Sequence, residues 1–143
     1  MDRRLWLKVA AGLSFSMAAC QAVISVWPAA AAYFQAPPEL LNDRVRLFVV
    51  GEAAALIPVL FGLYALSGAG VIRHLPLLRT ALVGIGSLFL LRGLFIVLTF
   101  LVAAGFLQGE VLLPAVASHV VFLSAGSMYL GGAILNWEAL KSR

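Results

Sequence analysis

Residues 80–104 form an apolar run long enough to cross a bilayer, and it carries a single arginine, Arg92, near its middle. A span needs about 20 apolar residues. A charge at mid-membrane depth is costly enough that it normally faces a protein interior or a water-filled cavity. Whatever this chain folds into must give Arg92 such surroundings.

The remaining sequence is built from similar material. With 143 residues, 63% hydrophobic and 11% charged, and a mean hydropathy of +1.04, the chain has the composition of a membrane protein. Four runs reach spanning length: 5–27, 47–66, 80–104 and 111–137. We therefore expect an all-α membrane protein, a single domain made of four transmembrane helices in a bundle, with membrane lipid around it.

The net charge of +4 does not point to nucleic acid, because the basic residues form no patch interleaved with aromatics. They report topology instead. Arg3, Arg4, Lys8, Arg73, Arg79, Lys141 and Arg143 fall on one side of a four-span arrangement, and Arg44 and Arg46 on the other. By the positive-inside rule both termini are cytoplasmic, as in a protein of a bacterial inner membrane.

The N-terminus shares features with a secretory signal, and Met17-Ala18-Ala19-Cys20 loosely resembles a lipoprotein cleavage box. An uncleaved span is the better reading, since the apolar run continues past Cys20 to Trp27. Trp27-Pro28 pairs an interfacial aromatic with a helix breaker. Within the first span Ser14, Met17, Ala18, Gln21 and Ser25 recur at three- and four-residue spacing, a mildly polar stripe that should face other helices.

Residues 28–43 form the one long segment on the far side. Tyr33 and Phe34 are expected to rest in the interface, with a lid over an outward-opening cavity as the alternative. Proline favours a first helical position, so the second helix should begin near Pro38. Within it Glu52 lies among the smallest side chains, in Gly51-Glu52-Ala53-Ala54-Ala55, about 9 Å deeper than Arg46 by helix rise. Pro58 can kink this helix.

In the third span Ala81, Gly84, Ile85, Leu88, Arg92, Phe95, Ile96 and Thr99 share a side that would suit a bundle interior. In the fourth, Ala115, His119, Phe122, Gly126 and Ala133 share a face, and Ser127-x-x-x-Gly131 offers a small-residue packing motif open to self-association or a membrane partner.

The four spans thus each contribute one conspicuous polar group: Gln21, Glu52, Arg92 and His119. Running the topology through the membrane places Gln21, Glu52 and His119 in the outer half and Arg92 at the middle, and the cost of a lipid-facing charge predicts convergence on the bundle interior. A Glu52–Arg92 ion pair competes with water, backbone carbonyls or a ligand anion as partners of Arg92. No cofactor is called for: His119 is the only histidine inside a span, too few for a bis-histidine haem or a catalytic zinc within one chain.

Three uses of such a cluster compete. One is a site that binds or translocates a small anionic or amphipathic ligand, with Glu52 and His119 exchanging protons and Arg92 holding the anion. The second is a membrane enzyme acting on a lipophilic substrate, with His119 or Glu52 as acid or base. The third is a structural or accessory subunit whose Glu52–Arg92 pair fixes helix register. In size and span count the chain is similar to the glutathione-dependent membrane enzymes of eicosanoid metabolism. Arg46 and Glu52 fall on one helix, but the asparagine and tyrosine that family would place beside them are missing, so no residue role is carried over.

Overall fold

The computed structural model describes residues 4–109 and 111–140. Every regular element among them is helical: α1 (Leu5–Val26), α2 (Pro28–Tyr33), α3 (Pro38–Leu41), α4 (Arg44–Gly68), α5 (Leu78–Gly93), α6 (Phe95–Ala103) and α7 (Leu113–Leu135). Four helical stretches are long and apolar enough to span a membrane: α1, α4, α5 with α6, and α7. The fold is a four-helix membrane bundle. Arg3, Lys141 and Arg143 lie outside the described residues, as does Glu110.

The element ends follow from local chemistry. Trp27 takes an extended conformation between α1 and α2, and Pro28 begins α2, where its missing N–H costs nothing. Helix α2 closes with Ala36 N–H donating to Ala31 O and Gln35 N–H to Ala32 O, with Gln35 at φ 61°. This is a Schellman cap with glutamine where glycine is usual. Contrary to expectation, the second span does not run on from Pro38. The Asp43 carboxylate accepts from Val45 N at 3.0 Å and Arg46 N at 3.1 Å, so it starts a new helix at Arg44 and leaves α3 as a separate turn.

Small residues set the helix pairing. Helix α1 packs mainly on α4, and α5 on α7, with α1 against α7 joining the two pairs. In the α5–α7 seam glycines alternate with leucines: an added Cβ at Gly86 would strike Leu130, at Gly126 Leu90, and at Gly93 Leu123. Each leucine fills the space a glycine leaves, which brings the two backbones close. The expected Ser127-x-x-x-Gly131 motif is used differently, since Gly131 lies under the Trp6 ring of α1, 3.1 Å from the position of a Cβ. Its glycine therefore packs within the chain.

The third span is not one continuous helix but breaks at Leu94. Leu94 N–H still donates to Leu90 O, but Val97 N–H reaches back only three residues, to Leu94 O. Beyond the break α6 has no buried residue and packs against α7 and the end of α5. The physical reason is composition: α5 has glycines that admit a neighbour, whereas Phe95, Ile96, Val97, Leu98 and Phe100 hold one off.

The main buried cluster consequently fills the half of the bundle that carries the termini. Leu7, Ala65, Leu78, Leu82, Ala125, Tyr129 and Ala133 belong to it. Its upper boundary is an aromatic layer in which Phe89 sits 5.5 Å from Phe61, 5.6 Å from Phe122 and 5.7 Å from Tyr129, centroid to centroid. The Tyr129 hydroxyl lies 2.8 Å from Ser14 Oγ, so the Ser14 end of the α1 stripe is satisfied across the bundle. In the other half the helices separate around a cavity.

Candidate functional site: a cavity around Arg92

The cavity has a volume of about 460 Å³, inside the range of small-molecule sites. Helix α1 contributes Gln21, Ile24 and Ser25 to its wall, α4 contributes Leu47, Val50, Gly51 and Ala54, and α7 contributes Pro114, Ala115, Ser118 and Phe122. The segment between α1 and α4 closes the end through Ala31, Phe34, Gln35, Ala36, Pro37 and Leu40. Phe34 therefore lines a cavity, the alternative expectation for it, and stacks edge-on with Tyr33 at 5.4 Å. On the α5–α6 side the wall is Arg92 alone.

Arg92 is the one ionisable side chain among the described residues lining this space. Its guanidinium carbon stands 5.2 Å from the Phe122 ring centroid and 5.7 Å from that of Phe95. Such contacts stabilise a cation by about 0.5–2 kcal/mol, yet a ring face satisfies none of the five N–H donors in the way an oxygen would. Among the described residues, the ion pair formed is Arg46 with Asp43 at 3.6 Å, and no carboxylate reaches Arg92. Nor does Arg92 lie on the packed face of α5. That face is Leu78, Leu82, Ile85, Gly86, Phe89 and Gly93, whereas Gly84, Leu88 and Arg92 are exposed. The stripe expected to point inward is displaced, because the seam with α7 centres on Gly86 and Gly93.

No family model matches this chain, nor does any curated protein or solved structure. The chemistry must therefore be read from the geometry.

Glu52 does not face Arg92. Ser25, 2% exposed, donates its hydroxyl to Glu52 Oε1 at 2.5 Å, with Ala22 O also 2.7 Å from the same hydroxyl oxygen. Gly51 makes this contact possible, since a Cβ there would overlap Ser25. The carboxyl thus lies behind the cavity wall, linked to it through a hydroxyl. Gln21, one turn before Ser25, lines the cavity directly.

His119 lies beside the cavity rather than in its wall. Its Nδ1 bonds Ala115 O and stands 3.3 Å from Ser118 Oγ. A carbonyl can only accept, so Nδ1 carries the hydrogen and Nε2 is the nitrogen with a free lone pair in the neutral ring. The imidazole meets Phe95 edge-on at 6.5 Å, so the Phe95 ring contacts both His119 and Arg92. Of the four residues singled out in the sequence, Arg92 and Gln21 reach the cavity, and Glu52 and His119 stand one side chain away.

Other lining residues had weaker signals. Ser25 and Phe122 already belonged to the recognised stripes of their helices. Ser118 is identifiable only as the neighbour of His119, and Gln35 only once its backbone conformation is known.

Proposed function

We propose that this chain is a protein of the bacterial cytoplasmic membrane, with both termini inside, that binds or translocates a small anionic or amphipathic ligand in the cavity around Arg92. One observation carries the reading: a guanidinium with no carboxylate partner among the described residues forms part of a cavity wall otherwise neutral. A planar fork of N–H donors in apolar surroundings is suited to a carboxylate or phosphate. The aromatic layer of Phe61, Phe89, Phe122 and Tyr129 lies between the cavity and the termini-bearing end, which favours binding over open passage in this conformation. The Ser25–Glu52 bond removes the main support for a purely structural Glu52–Arg92 pair.

Native mass spectrometry of protein extracted in mild detergent tests the reading. The wild-type chain should carry bound anionic molecules that are lost in Arg92→Leu and reduced in Arg92→Lys, because lysine keeps the charge but not the bidentate geometry. Equal retention by all three proteins would overturn it.

A further inference from the structure

The way into this cavity identifies the kind of molecule that fits it. Its far end is covered by the segment from Ala31 to Leu40, and its floor is Phe122 above the aromatic layer. Helices α1 and α4 are held together along its back by the Ser25–Gly51 approach and the Ser25–Glu52 bond. The side between α4 and the third span is different. Those two meet near the termini-bearing end, where Gly68 receives Leu82 and Phe61 stacks on Phe89. Farther along, Arg92 is the only residue of either α5 or α6 on the cavity wall. Val50, which lines the cavity from α4, is 47% exposed, and Phe95, one turn from Arg92, is 51% exposed.

A side opening of this kind faces hydrocarbon when the helices span a bilayer. Water-soluble anions are excluded from that region, since a charge taken into hydrocarbon without its hydration shell costs many kcal/mol. An amphiphile already dissolved in the membrane avoids most of this cost, because its chain stays among lipid while only its head moves to the cation.

We propose that the occupant is an anionic amphiphile that enters sideways between α4 and the α5–α6 break, its carboxylate or phosphate on Arg92 and its apolar chain passing out between Val50 and Phe95. This rests on reading Arg92 as an anion holder and adds the chain and the route. The break at Leu94 serves the route: a continuous, closely packed third span would bring its own residues onto the cavity wall.

Binding to the full chain in lipid nanodiscs provides the test, using five probes: oleate, oleyl alcohol, acetate, inorganic phosphate and phosphatidylglycerol. Oleate should bind at least about tenfold more tightly than acetate or phosphate, and at least about tenfold more tightly than oleyl alcohol. Phosphatidylglycerol competing with oleate would identify a bilayer lipid as the source, and its failure to compete a free fatty acid; either result is consistent with an anionic amphiphile. Acetate or phosphate matching oleate would overturn the proposal while leaving Arg92 as an anion site. Oleyl alcohol matching oleate, with no effect of Arg92→Leu, would overturn both.

The route has its own readout. Oleate bearing a diazirine in its chain should label Val50, Phe95 and their neighbours after irradiation. Labelling confined to residues 34–37 would mean entry from the aqueous end and would overturn the sideways route. Val50→Trp, at an exposed lip position with room for the larger ring, should weaken oleate binding about tenfold without lowering the melting temperature; unchanged binding would count against the opening.

Discussion

Ser25 Oγ lies 2.5 Å from Glu52 Oε1, so the only carboxylate of the second span is held by the first span and not by the arginine of the third. Among the described residues, Arg92 is left with the rings of Phe95 and Phe122. If the two charges are independent, the stability effects of Arg92→Leu and Glu52→Leu should add to within about 0.5 kcal/mol in the double variant. Thermal or denaturant unfolding in detergent measures this. Recovery of stability in the double variant would reveal an ion pair, because removing both partners of a buried pair relieves the penalty of removing one. Ser25→Ala should by itself destabilise by about 1–3 kcal/mol, since it leaves a partly buried carboxyl without its hydroxyl.

The glycine seam between α5 and α7 predicts opposite outcomes for two glycines of the same helix. A Cβ at Gly93 would sit 2.7 Å from Leu123 N, a backbone atom that cannot move aside cheaply, while a Cβ at Gly84 meets nothing within 4 Å. Gly93→Ala should therefore cost about 1–3 kcal/mol. Gly84→Ala should be neutral or stabilise by about 0.5–1 kcal/mol, from helix propensity alone. Equal effects at both positions would show that the seam is not the close contact described here.

Gln35 holds a left-handed conformation, φ 61°, at the cap of α2, in a position that costs a non-glycine residue about 1–2 kcal/mol. Gln35→Gly should raise unfolding stability by about 1 kcal/mol. Because the Gln35 side chain also lines the cavity, a fall in oleate binding in the same variant would report the loss of that side chain from the site.

The proposed orientation is tested by surface labelling. In a Cys20→Ala background, a membrane-impermeant maleimide applied to intact cells should modify Glu39→Cys and leave His74→Cys unmodified. The reverse pattern would invert the bundle and place the cavity in the inner leaflet.

The four spans were legible because the need for about 20 apolar residues acts on composition over a whole segment and survives local detail. Thus α1, the span of α7 and the buried stripe of Ser14, Ala18 and Ser25 appear where the residue pattern puts them. The helix start at Asp43 is written in the sequence, since aspartate is a strong N-cap. The partner choices of the polar groups could not be read this way. Helical spacing tells which residues share a face, but the orientation of that face depends on which neighbouring backbone comes closest. In α5 the glycines drew α7 against Gly86 and Gly93 and turned Arg92 toward the edge of the bundle. In α4 the absent Cβ of Gly51 brings Ser25 within reach of Glu52. The sequence by itself determined that a cation must be accommodated inside a four-span membrane protein. Only the tertiary packing, set by contacts between residues far apart in the chain, decided that the cation lines an open cavity instead of closing an ion pair.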